Sequence, residues 1–441
     1  MVTLGTGFKP IQYLGNKSRL SEEIAARVTR LDGGRRSVVC DLFAGSGVVS
    51  RRLGRDQSVL AVDIQEYSRV LTAAQCSPHR FARSQQEEFL FEARKFADSI
   101  MNTELQSLIA LERDALARGD ANLITEIVEN GSVAAWAIIG GHKRAVQSDF
   151  ELLLTRAAKG LEGNRSATIS RYYGGVYFGY EQAAVIDALA AVAYGLEPEA
   201  RDTALAAVMS TASELVASVG GHFAQPIRIT TRNGQRKQGA LTAVAKKRRP
   251  SAMHVFAKWL KAWSDLQPTR NPVAALRADF RDVVADLPRS VGVVYADPPY
   301  TRDHYSRFYH VLETIARGDD PGISTATSRG AKAPSRGLYR TERHQSPFSV
   351  VSEAPGALSG IAEALAMRDV SLLLSYSPVP NTEKPRDRVM TLETVLAILE
   401  ANFRHVQAHV AESVGHARFN VARLNTPMTL GAEVLISCTN S

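Results

Sequence analysis

The stretch Val293-Val294-Tyr295-Ala296-Asp297-Pro298-Pro299-Tyr300 leaves this chain little freedom at one point of its fold. Two β-branched residues and a tyrosine make a short buried-strand signal, because such side chains pack well on a pleated, covered surface. An acid and two prolines follow, and proline has no N–H to donate to a sheet ladder. The strand therefore stops at Asp297. A stiff loop continues from its carboxyl end, the edge at which open α/β sheets bind ligands. Asp297 supplies an acceptor, Pro298 a carbonyl oxygen and Tyr300 a flat apolar face. That set suits a planar group with an exocyclic NH2, whose two hydrogens need two acceptors.

A second constraint lies near the start. Val38-Val39-Cys40-Asp41-Leu42-Phe43-Ala44-Gly45-Ser46-Gly47 is a strand entering a glycine-rich turn, and Val48 to Leu53 continues as a helix. Glycines let a ligand approach the main chain, and a helix start offers free N–H groups. The next strand, Ser58 to Val62, ends in Asp63, an acid placed to accept from both hydroxyls of a ribose. These residues predict a ribose-bearing cofactor and leave NAD and S-adenosylmethionine both open.

With these pieces in place, Asp297-Pro298-Pro299-Tyr300 resembles the catalytic DPPY motif of S-adenosylmethionine-dependent amino-methyltransferases, above all the Dam-type N6-adenine DNA methyltransferases. Asp41, Phe43, Gly45 and Gly47 are similar to that family's D-x-F-x-G-x-G cofactor motif. Tyr13-Leu14-Gly15-Asn16-Lys17 resembles its Y-x-G-x-K front segment, and Asp279-Phe280 its D-F segment beside the cofactor's adenine. The resemblance implies S-adenosylmethionine as cofactor, no metal, and catalytic roles for Asp297, Pro298, Pro299 and Tyr300. Tyr13, Lys17, Asp41, Phe43, Gly45, Gly47, Asp63, Asp279 and Phe280 would then bind the cofactor. Front segment, glycine loop, ribose acid, insert and catalytic loop follow in the alpha-class motif order. That order implies an α/β, doubly wound Rossmann-like methyltransferase sheet, discontinuous over 1–78 and 275–441, with a large, mostly helical DNA-recognition domain inserted at 79–274.

Composition limits the alternatives. The chain has 441 residues, 45% hydrophobic and 22% charged, enough for two or three domains with real cores. It holds no run of about 18 apolar residues and no secretory pattern at its start, so a cytoplasmic protein is expected. Cys40, Cys76 and Cys438 are too few and too scattered for a disulfide framework or a zinc site, and are expected as reduced core thiols. The net charge is +8, yet Gly221 to Arg270 alone carries eleven Lys or Arg against the single acid Asp265. Such concentration is the footprint of a polyanion. Arg232, Arg236, Lys237, Lys246, Lys247, Arg248 and Arg249 are accordingly candidate nucleic-acid contacts, with double-stranded DNA as the expected partner. Whether a cognate restriction nuclease accompanies the protein is left open.

Elsewhere the patterns are coarser. Ser18 is placed to cap a helix from Arg19 to Val28, residues 79 to 128 read as one or two long helices, and Glu181–Tyr194 and Glu199–Ser218 as two more. Gly140 to Arg144 reads as a loop with a basic end. The aromatics from Tyr172 to Tyr180 are expected to fill a core, with base stacking the less favoured alternative. Residues 220 to 249 are expected to be loop-rich, Asp303 to Thr314 a helix, and 317 to 349 a long loop able to close over substrate. Ala357 to Met367 predicts a helix and Val370 to Ser377 a strand, and Ala417 to Ser437 resembles the terminal antiparallel hairpin of methyltransferase sheets. RNA adenine, cytosine N4 or a protein glutamine would also present a planar NH2. A silent DNA-binding protein on this scaffold and an NAD-dependent dehydrogenase are the rivals of other classes.

Overall fold

The computed structural model describes residues 8–13, 17–140, 148–328, 331–378, 388–411, 419–421, 426–428 and 433–440. Leu14, Gly15 and Asn16 of the front segment lie outside the described residues. So do the basic loop beyond Gly140, and Ala417 and Arg418 of the expected hairpin.

Among the described residues one large sheet is built from seven strands: β1 Val38–Asp41, β2 Val59–Asp63, β3 Val273–Arg277, β4 Val291–Ala296, β5 Ser371–Tyr376, β6 His405–Val410 and β7 Val434–Thr439. Their order is β3-β2-β1-β4-β5-β7-β6. β7 runs antiparallel to both neighbours, and every other pairing is parallel. This is a mixed α/β architecture on a mostly parallel sheet.

Parallel strands covered on both faces lack a polar side, and β5 is buried at all of its positions. On one face Cys40, Val62, Val294, Leu372, Leu374 and Ile436 pack with helices Phe280–Ala285, Ala354–Met367 and Leu392–Asn402. On the other, Val39, Ala61, Val293, Tyr295, Leu373 and Leu435 pack with Ser21–Asp32 and Val48–Leu53. Each fully buried Leu or Val contributes about 1.5–3 kcal/mol. A one-residue slip would exchange the two faces, so the register is strongly specified.

The chain divides into two compact units. The sheet belongs to the unit of Leu14–Pro78, Gln267–Tyr305 and His344–Ser441. The other unit, Met1–Tyr13, His79–Leu266 and Ser306–Arg343, is built mainly from helices. Within it, Tyr180–Tyr194 is apolar around most of its circumference and is enclosed by its neighbours. Tyr172, Tyr173, Tyr177, Phe178 and Tyr180 are all buried, with the Tyr177 hydroxyl donating to the Phe223 carbonyl at 2.7 Å and the Tyr180 hydroxyl to that of Gly131 at 2.7 Å. These rings are core, so stacking on a base is not open to them.

Several local expectations are corrected. Residues 79 to 128 fold as three helices, Arg83–Met101, Leu105–Arg118 and Ala121–Asn130. Gly119, at φ 66°, ends the second, and the Asp120 carboxylate accepts from the N–H groups of Asn122 and Leu123 to start the third. Ser18 does not cap the first helix; that helix runs Ser21–Asp32 and has no side-chain cap. The segment 220 to 249 contains the helix Gln238–Arg248, because Leu241 and Val244 close over Ile229 and Val128. Tyr309 leaves helical geometry and splits the helix expected over 303 to 314 into Tyr305–Phe308 and His310–Arg317. Within the long loop, Thr325–Ser328 pairs antiparallel with Ala331–Pro334. At the end of the chain β7 pairs with β5 and β6, while Phe419–Val421 pairs separately with Thr426–Met428.

Candidate active site

Three loops leave the same carboxyl edge of the sheet. β1 and β4 are parallel neighbours with Asp41 opposite Tyr295, and β2 flanks β1 with Ala61 opposite Asp41. The glycine turn, the Asp63 loop and the Asp297 loop therefore start side by side. The turn is strapped down from both sides, since the Leu42 N–H donates to the Tyr295 carbonyl and the Ala44 N–H to that of Val62, each at 2.9 Å.

Asp63 has a structural duty here. Its carboxylate accepts from the Gly45 N–H at 3.0 Å and from the Gln65 N–H at 2.9 Å. Burial raises its pKa, and the Gln65 and Gly45 N–H groups oppose the rise. Gly45 and Gly47 have φ of 56° and 78°, a region costly for other residues. For Gly47 the close approach is to the protein itself, because a Cβ there would lie 2.7 Å from the Thr72 hydroxyl. That glycine admits a helix to the turn.

Asp41 ends β1 as a buried acid. Its carboxylate is 1% exposed and accepts from the Ser50 hydroxyl at 2.6 Å, while Oδ1 has no partner among the described residues. Burial pushes its pKa up to about 7, with Asp297 and Asp63 adding to the rise and the Ser50 hydroxyl opposing it.

Asp297 lies in a ring of polar contacts. Lys17 Nζ is 3.0 Å from Asp297 Oδ2 and 3.2 Å from Glu433 Oε1. The Tyr300 hydroxyl reaches Asp297 Oδ1 and, at 2.5 Å, the Ser375 carbonyl; with one proton it donates to one of them at a time. The Ser375 hydroxyl donates to Glu433 Oε2 at 3.2 Å, which closes the ring. Burial disfavours the Lys17 ammonium, yet the two carboxylates outweigh it and hold its pKa above the ordinary value. Burial pushes Glu433 up, Lys17 opposes this and Asp297 adds to it. The Asp297 side chain keeps 18% exposure, so the salt bridge does not seal it. The resemblance implies a cofactor-binding role for Lys17; in the structure its ammonium pairs with two of the protein's own carboxylates.

Tyr300 packs edge-on against Tyr376, with ring centres 5.1 Å apart, and its carbonyl accepts from the Val389 N–H at 3.0 Å. Pro298 is buried and Pro299 half-buried. Phe43, Phe280 and Phe348 form an aromatic wall with ring centres 5.3 to 5.6 Å apart. Asp279 starts the helix of Phe280 by accepting from the Arg281 N–H, and its carboxylate also pairs with the Arg281 guanidinium at 2.6 Å. Tyr13 falls in the helical unit and stacks on Tyr309 at 5.1 Å.

Among the basic candidates, Arg232, Arg236, Lys237, Lys246 and Arg249 are exposed, and Lys247 is half-buried with its ammonium donating to the Glu214 carbonyl at 2.5 Å. Arg248 is different, and this corrects its assignment as a phosphate contact. Its side chain is 2% exposed, pairs with Glu112 and donates to the Gly175 carbonyl at 2.6 Å. Sequence reasoning overlooked Glu433, Ser375 and Phe348. An acid standing immediately before the apolar run of the last strand was the available signal for Glu433.

The D12 class N6 adenine-specific DNA methyltransferase family matches residues 13–134 and 234–338, more than half of the chain.

The chain belongs to this family.

A short stretch is also similar to the modification methylase LlaI of Lactococcus lactis subsp. lactis, 52% identical over 40 residues. That match covers 9% of this chain and 6% of the methylase. Among the described residues no helix is long and apolar enough to cross a membrane.

Proposed function

We propose that this protein methylates the N6 amino group of adenine in double-stranded DNA, with S-adenosylmethionine as donor, on a doubly wound Rossmann-like methyltransferase sheet. The observation that carries the reading is the Asp297-Pro298-Pro299-Tyr300 loop leaving β4 beside the glycine turn of β1, the two strands being parallel neighbours. We assign the catalytic domain to 1–78 and 275–441 and DNA recognition to 79–274. That residues 79–266 fall in the helical compact unit supports this division, although Met1–Tyr13 and Ser306–Arg343 group with that unit as well.

The residues present fit the cofactor. We place a ribose at Asp63, the acid at the tip of β2, and an adenine beside Phe43, the half-buried ring of a cluster whose other members, Phe280 and Phe348, are buried. Asp297 and Glu433 stand against the Lys17 ammonium, while burial disposes Asp41 to be neutral by raising its pKa to about 7. When bound, S-adenosylmethionine supplies an electrophilic methyl on a sulfonium.

The chain's own residues act on the acceptor. A target adenine flipped from the stack donates its two N6 hydrogens to the Asp297 carboxylate and the Pro298 carbonyl. Those bonds draw the nitrogen lone pair out of conjugation with the ring and orient it. The ring stacks on Tyr300. Preorganised acceptors and orientation carry most of the acceleration. The nitrogen sheds its proton only after methylation has acidified it, so Asp297 need not be a strong base. Arg232 and Arg236 lie on a turn in which the Thr231 N–H donates to the Gln235 carbonyl, and with Lys237 they are placed to hold phosphates.

Asp297→Ala is expected to abolish incorporation of tritiated methyl groups into DNA while changing the cofactor's dissociation constant by less than about threefold. Full activity in that variant would defeat the assignment.

A further inference from the structure

We infer that Glu433 is a positioning residue for the methyl transfer: with Ser375 it holds Lys17 against Asp297 and so fixes the rotation of the carboxylate that receives the amine. This rests on the reading of Asp297 as acceptor given above.

The ring of contacts draws on four separate parts of the chain. Lys17 lies ahead of the first helix, Asp297 and Tyr300 in the loop after β4, Ser375 on β5, and Glu433 at the entrance to β7. Antiparallel pairing sets Leu435 opposite Ser375 and so brings Glu433 to the Ser375 hydroxyl. Each oxygen of Glu433 then has a partner, Oε1 in Lys17 and Oε2 in Ser375. Each oxygen of Asp297 has one as well, Oδ2 in Lys17 and Oδ1 in Tyr300. Lys17 sets the plane of the Asp297 carboxylate, with Tyr300 as a second donor whenever its proton faces Oδ1, and lone pairs remain for a ligand.

A lysine stem has four rotatable bonds and considerable rotamer entropy to lose. Held by Asp297 alone, Lys17 would move with it. Glu433 supplies a second anchor on a different strand, and Ser375 locks that anchor. A second carboxylate is also costly here, since the Glu433 side chain is only 14% exposed and desolvation works against its charge. Fold stability by itself would be better served by an apolar residue at this position. The cost is accounted for by a constraint on Lys17 that a hydrophobic side chain cannot supply.

The test measures single-turnover methyl transfer to DNA for the wild type, Glu433→Ala and Glu433→Gln, together with melting temperature and cofactor affinity. Glu433→Ala is expected to lower kcat by about 10–100-fold, with the KM for DNA and the cofactor's Kd changing by less than about threefold. Glu433→Gln keeps an acceptor for Lys17 and should bring kcat back to within about fivefold of the wild type at neutral pH. Glu433 faces Lys17, Asp297, Tyr300, Tyr295 and Ser375. A protonated Glu433 and a glutamine both present a neutral acceptor, so the wild-type kcat should fall on the acid side toward the Glu433→Gln level, along a limb that Glu433→Gln lacks. A folded Glu433→Ala with kcat within twofold of the wild type overturns the inference. If that variant does not fold, an acid limb in Glu433→Gln that superposes on the wild type overturns it. A wild type that transfers no methyl group to DNA removes the proposed function itself, and this inference with it.

Discussion

Asp41 shows how much a single residue concedes to its place. It sits at the end of β1, with one oxygen on the Ser50 hydroxyl and the other without a partner among the described residues. Its folded pKa is raised, from 3.8 to about 7. Protonated Asp41 is therefore favoured in the folded state, and its contribution is complete below the ordinary carboxylate range and lost as pH rises to about 7. Asp41→Asn removes the titration. Urea unfolding at a series of pH values should show the wild type losing up to about 4 kcal/mol relative to Asp41→Asn between pH 4 and pH 7. Asp187, also pushed up to about 7 by burial, is present in both proteins and cancels. Parallel stability profiles across that range would show that Asp41 titrates as an ordinary carboxylate.

At the scale of elements, the helix Gln238–Arg248 and the turn before it divide the basic tract into two kinds of charge. Arg248 serves the fold, because its guanidinium neutralises Glu112 beneath the start of Tyr180–Tyr194, where the Tyr180 N–H donates to Glu112 at 2.8 Å. Arg248→Met should lower stability by about 3–5 kcal/mol by leaving Glu112 buried and uncompensated. DNA affinity below the melting temperature should be unchanged. Replacing Arg232, Arg236 and Lys237 by Gln should do the reverse, keeping the melting temperature within about 2 °C and weakening DNA binding. Thermal unfolding and fluorescence anisotropy on the two variants separate the roles.

For the whole molecule, a net charge of +8 that one window more than accounts for predicts binding dominated by counterion release. With about five phosphates neutralised, affinity for DNA should fall about 10²–10³-fold between 50 and 200 mM salt. The triple Gln variant should flatten the slope of log K against log salt by about two to three. A slope near zero in the wild type, measured by anisotropy, would dissociate the basic tract from DNA.

What the amino-acid sequence determined by itself was local and chemical. Two prolines after Asp297 end a strand whatever surrounds them, glycines at 45 and 47 permit positive φ, and an apolar run such as Leu372-Leu373-Leu374 demands cover on both sides. Tertiary structure decided the rest, because it depends on which distant segments meet. The ring of Lys17, Asp297, Tyr300, Ser375 and Glu433 exists only through strand pairing, with 416 residues separating Lys17 from Glu433. Gly47 faces Thr72 only because the helix Glu66–Cys76 lies there. Arg248 and Arg249 are identical in sequence terms, and helix geometry sent one inward to Glu112 and the other to solvent. Side-chain type sets what a residue can do, but burial and partners come from contacts that close long loops, and these leave no local mark on the sequence.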